Sequence, residues 1–84
     1  MKFELERNSL RIEGAVTLQE LDSLHRTVFD FGPENLHLID LRNVTDIDYG
    51  GCQWLYFLRL SYPWLNWLWP DGQELKWLWR AFEN

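Results

Sequence analysis

The sequence predicts an α/β domain on a partly parallel sheet, with elements in the order β-β-α-β-α-β-α. Three observations carry this expectation. Apolar and polar residues alternate on both sides of a short polar link near the N-terminus; three later segments show apolar residues at three- and four-residue spacing; and between the first two of these lies a short apolar run with little alternation. The chain has 84 residues, 46% hydrophobic and 25% charged, the make-up of one small globular domain over residues 1–84. A second core does not fit in that length.

Each element has a local reason. Phe3 and Leu5 alternate with Lys2, Glu4 and Glu6, and after Asn8-Ser9 the alternation resumes in Leu10, Ile12 and Gly14 to Val16, which reads as a β-hairpin. Thr17 followed by Glu20 has the form of a capping box, and Leu18, Leu21, Leu24, His25 and Val28 then mark an amphipathic helix ending near Gly32-Pro33. Leu36 to Leu41 suits a strand covered on both faces, and Arg42 to Asp48 reads as a polar loop. Gly50-Gly51 opens a second helix, Cys52 to about Ser61, which Pro63 ends. Trp64 to Trp69 is expected to form the last strand, closed by Pro70-Asp71-Gly72. A final helix from about Gln73 presents Leu75, Leu78, Trp79 and Phe82 as one stripe.

Charge and composition narrow the function classes. The net charge is −5 without a basic run, so phosphate-rich partners such as nucleic acid or anionic membrane are disfavoured. The single cysteine, Cys52, excludes an intramolecular disulfide and a cysteine metal cluster, which suits a reducing cytoplasm. The N-terminal segment lacks the apolar stretch of a secretory signal, and Cys52 to Trp69 is broken by Arg59, Pro63 and Asn66 before it reaches the length of a membrane span. These features point to a soluble, cytoplasmic protein.

The most informative stretch is Leu38-Ile39-Asp40-Leu41-Arg42-Asn43-Val44-Thr45-Asp46-Ile47-Asp48-Tyr49-Gly50-Gly51. It resembles the signature of the STAS-domain family, a strand of the form DLSxVxxID followed by a helix start containing Ser or Thr and Gly. Asp40, Val44, Ile47, Asp48 and Gly51 match in register, while the last strand and helix match in order and length. The family includes bacterial anti-sigma-factor antagonists, stressosome scaffold proteins, cytosolic tails of sulfate-type anion transporters and MlaB-like subunits of phospholipid-transport ABC complexes. The resemblance implies a mixed sheet of about four strands with helices mainly on one face, and non-enzymatic binding of a protein partner.

One position departs from the family. Anti-sigma-factor antagonists carry a phosphorylatable Ser or Thr directly after the aspartate matched by Asp48, and here that position is Tyr49, followed by Gly50. No Ser/Thr phospho-switch is therefore expected. Asp-Tyr-Gly-Gly is closer to the Asp-Thr-Gly-Gly form of MlaB-like subunits, so the resemblance favours an ABC-transporter ATPase as partner, reached at the inner face of the membrane. The alternative is an anti-sigma kinase or a stressosome-like assembly, which phosphate on Thr45 or its neighbours would revive.

Other chemistry-bearing residues read more simply as structure. Asp40 and Asp48 lack a third ligand of a recognisable calcium loop and are expected to accept backbone hydrogen bonds or cap a helix; no metal or cofactor is expected. His25 and His37 have no nucleophile in their sequence context, and Cys52 reads as a buried, inert thiol, so no catalytic residue is assigned. On the second helix Cys52, Leu55, Leu58, Arg59 and Tyr62 share one side, and Gln53, Phe57 and Leu60 fall opposite, with Trp54 between. The partner-binding surface is therefore expected at Asp48, Tyr49, Gly50, Gly51, Gln53, Trp54, Phe57 and Leu60. Five of the six tryptophans fall between Trp64 and Trp79, more indole than so short a chain hides, and Trp77 lies off its helix stripe as a second interface candidate, while the patch of Phe57 and Leu60 is where a partner or a second copy of the chain is expected. A peripheral membrane role for this tryptophan-rich end is disfavoured by the acidic balance.

Overall fold

A computed structural model describes residues 1–71 together with Trp77 and Arg80. Strand β1 (Lys2–Glu6) and strand β2 (Ser9–Val16) form the N-terminal hairpin, followed by helix α1 (Leu21–Phe31), strand β3 (Leu38–Ile47), helix α2 (Tyr49–Ser61) and strand β4 (Asn66–Leu68). The sheet order is β1-β2-β3-β4; the first pair is antiparallel and the other two are parallel, so the chain forms the mixed four-stranded sheet expected of it. The expected final helix and its core residue Trp79 lie outside the described residues, apart from Trp77 and Arg80, which are helical and exposed.

Two neighbouring rows across the sheet show its two faces. Leu5, Leu10, Ile39 and Trp67 stand in one row, and Glu4, Arg11, Asp40 and Leu68 in the next. The first row faces the helices. Leu10, Ile12, Ile39 and Leu41 are fully buried there against Leu24 and Val28 of α1 and Leu55 and Leu58 of α2. The side chains of α1 and α2 meet one another directly, so both helices cover the same face. The second row faces away and is polar. A half-open cavity of about 250 Å³ lies on that side, where Arg42 pairs with Asp40 at 3.0 Å and Arg11 with Glu4 at 2.8 Å.

Several local expectations are corrected. The hairpin turns at Arg7-Asn8, with Ser9 already paired to Glu6, and Arg7 takes the left-handed φ of 57° that the turn imposes. The capping box does not form: Leu18–Glu20 is a 3₁₀ turn, the Thr17 side chain makes no cap bond, and the Glu20 carboxylate meets the Met1 ammonium at 2.9 Å. Of the segment read as a polar loop, Arg42 to Asp48, all but Asp48 continues β3, because Val44, Asp46 and Ile47 pair with Gly14, Ala15 and Val16 of β2. Its polar residues are exposed while Val44 and Ile47 are buried, so the polarity reflects the outer positions of a strand. The last strand is shorter than expected because the Leu65 N–H closes a turn on the Tyr62 carbonyl at 3.1 Å, leaving only Asn66 to Leu68 in the ladder.

Candidate functional site

The site is built around the carboxylate of Asp48, at the junction of β3 and α2. One oxygen accepts from the Gly51 N–H at 2.8 Å and caps α2; the other accepts from the Leu18 N–H at 2.9 Å. The Asp48 N–H in turn donates to the Val16 carbonyl at 3.1 Å. One residue thus ties three pieces of chain together: the end of β2, the turn before α1 and the first turn of α2. The Leu18 N–H, with help from those of Gly51 and Gly50, holds the Asp48 carboxyl below the usual carboxylate range. Its role is the structural one expected of it.

The two glycines are required by close approach. A Cβ on Gly51 would lie 2.6 Å from the Val16 carbonyl oxygen, and one on Gly50 would lie 2.8 Å from the Leu18 side chain. Only a chain without side chains at both positions lets the start of α2 rest on the β2–α1 turn. The same contact pushes outward the two residues that flank it. Leu18 is largely exposed, which corrects its expected place on the buried stripe of the first helix, and Tyr49 is 78% exposed.

From Tyr49, α2 presents one outward stripe. Tyr49, Gln53, Tyr56 and Leu60 follow at intervals of four, three and four, so they lie in line along the helix, with Phe57 beside them. Leu60 is 65% exposed and Phe57 42%. Phe57 also packs on Phe29 of α1 and on Tyr62, with ring centroids 6.3 and 6.4 Å apart. None of these side chains carries a charge at neutral pH. The stripe is uncharged, exposed and continuous with Leu18.

Of the residues expected at the interface, Tyr49, Gln53, Phe57 and Leu60 come together on this surface, while Asp48, Gly50 and Gly51 form the joint beneath it. Trp54 does not belong to the surface. It is 9% exposed, turned into the α1–α2 seam, and its indole N–H donates to Nδ1 of His25 at 3.0 Å. That bond fixes Nδ1 of His25 as an acceptor, and the imidazole stacks on Phe29 at 4.4 Å. Tyr56 and Leu18 join the surface unforeseen. Tyr56 was legible as the residue seven after Tyr49, whereas nothing local marks Leu18 as exposed.

Two other groups have shifted ionisation, Cys52 on α2 and Asp40 on β3. Cys52 is half-buried and its thiol is pushed up by desolvation. Asp40 accepts from the Arg42 backbone and from its guanidinium, and that guanidinium holds the Asp40 carboxyl below the usual range against the opposing effect of burial. Among the described residues, no group of three or more His, Cys, Asp or Glu could hold a metal ion, and no helix is long and apolar enough to cross a membrane. No model of a known protein family and no curated protein matches this chain.

Proposed function

We propose that this chain is a STAS-like, non-enzymatic binding domain that docks on a protein partner through Leu18, Tyr49, Gln53, Tyr56, Phe57 and Leu60. The observation that carries this reading is the uncharged, exposed stripe of α2 running out from the Asp48–Gly51 joint. A stripe of tyrosine, phenylalanine and leucine with no charge has the composition of an interface centre. The resemblance of the Asp40–Gly51 stretch to the STAS signature supplies the partner class: a nucleotide-binding subunit of an ABC transporter, served by this chain as a small cytoplasmic accessory subunit in the manner of MlaB-like proteins. Tyr49 at the family's Ser/Thr position supports this branch over an anti-sigma kinase or a stressosome-like assembly.

Affinity purification of the tagged chain from its native host, beside a Leu60→Asp variant, tests this reading. A transporter ATPase should be recovered with the wild type, and the variant should bind it at least about fivefold more weakly, the minimum for an interface anchor, at an unchanged melting temperature. Recovery of a sigma-factor regulator, or phosphate on Thr45, would move the protein to the switching branch. Equal recovery of the ATPase by both chains would remove α2 from the interface.

A further inference from the structure

β1 closes one side of the sheet, and among the described residues it pairs only with β2. A strand in that position presents outward N–H and C=O groups that can take up another strand. The opposite edge is less suited, since β4 has three residues and Pro70 follows shortly after. β1 has five residues in unbroken register with β2 and contains no proline. Because the turn is the two-residue Arg7-Asn8, Glu6 and Ser9 form the hydrogen-bonded pair that closes the hairpin. By the alternation of an antiparallel ladder, the backbone groups of Lys2, Glu4 and Glu6 then face β2, and those of Phe3 and Leu5 face outward.

We propose that this edge pairs antiparallel with β1 of a second copy of the chain, about a two-fold axis at Glu4, joining two sheets into one. The sequence Lys-Phe-Glu-Leu-Glu is complementary to its own reverse. Lys2 of each copy stands opposite Glu6 of the other, giving two opposite-charge pairs on the polar face. Phe3 stands opposite Leu5 on the helix face, where both are only half-buried in the single chain, so the apolar layer continues across the axis. The outward backbone groups of Phe3 and Leu5 then form about four hydrogen bonds across the joint. Glu4 meets its own copy on the axis, and Arg11, 2.8 Å from it, offsets that repulsion in each chain. Alternating charge on an edge strand ordinarily discourages pairing; here the alternation selects the chain itself. The joint is smaller than a standard interface, so the dimer is weak and forms as concentration rises. It leaves the exposed stripe of α2 free and does not depend on its role.

Sedimentation equilibrium of the full chain over a wide concentration range tests the proposal. The wild type should pass from one to two chain masses. Lys2→Glu sets Glu against Glu at both ends of the joint and should raise the dissociation constant at least tenfold; the double exchange Lys2→Glu with Glu6→Lys restores both pairs and should restore the dimer. Circular dichroism melts check that each variant folds, and Lys2 and Glu6 are both exposed. A wild type that stays monomeric throughout, a dimer indifferent to Lys2→Glu, or a double exchange that does not restore pairing would each overturn the proposal.

Discussion

At the scale of single residues, Asp48 ties together the chain segments beneath the proposed docking surface. Its two oxygens accept from Gly51 and Leu18, and both bonds favour the ionised form. A carboxyl held below its ordinary range in the fold contributes stability that is present above that range and lost as the pH falls through it. Asp40, held down by Arg42, acts in the same direction on the other face of the sheet. Asp48→Asn keeps one acceptor and points an amide donor at either the Leu18 or the Gly51 N–H, so it should melt below the wild type at neutral pH. The gap should shrink as the pH falls below about 4, where the carboxyl of the unfolded chain gains a proton, and close only at the lower pH where the folded one does. Thermal melts across this range check the point, and a gap that stays constant with pH would detach Asp48 from it. The aspartate's capping role was legible in the sequence, since Asp directly before a helix start is a common N-cap. Its second bond, to Leu18, was hidden because the partner lies thirty residues away along the chain.

At the scale of elements, α2 shows how far helical spacing reaches. The sequence placed Leu55 and Leu58 inside and Gln53 and Leu60 outside, and the structure agrees because the sheet and α1 cover one side of the helix. Trp54 lies between the two sides, and spacing could not assign it. The acceptor on His25 drew it inward, and that partner comes from a different helix. Trp54→Ala should therefore cost about 3–5 kcal/mol of folding stability, read as a lower denaturant midpoint; a midpoint equal to the wild type's would contradict its burial. β3 teaches the converse lesson. Arg42, Asn43, Thr45 and Asp46 read locally as a loop, yet β2 provides a ladder as far as Ile47, and pairing outweighs intrinsic preference where a neighbouring strand is at hand. At Thr17 the capping signal was sound by composition, but the Glu20 N–H donates to the Thr17 carbonyl and the Glu20 carboxylate is drawn to the Met1 ammonium, so the box does not close.

At the scale of the whole molecule, the sheet separates two kinds of surface. One face is roofed by α1 and α2, whose outer side carries the uncharged stripe; the other is, among the described residues, open, polar and paired internally through Arg11 with Glu4 and Arg42 with Asp40. The α/β class and the strand order along the chain were legible because hydrophobic periodicity records which face of each element is covered. The direction of the stripe was only half legible, because it depends on how closely Gly50 and Gly51 let α2 approach Val16 and Leu18. The central claim is that partners meet the helix layer and not the open sheet. Site-specific photo-crosslinking in the native host tests it most directly, with the crosslinker placed at Leu60 in one experiment and at the exposed Arg42 in the other. One dominant adduct, with a transporter ATPase, should form from Leu60 and be absent from Arg42. Adducts from Arg42 with none from Leu60 would contradict the assignment and place the docking surface on the open face of the sheet.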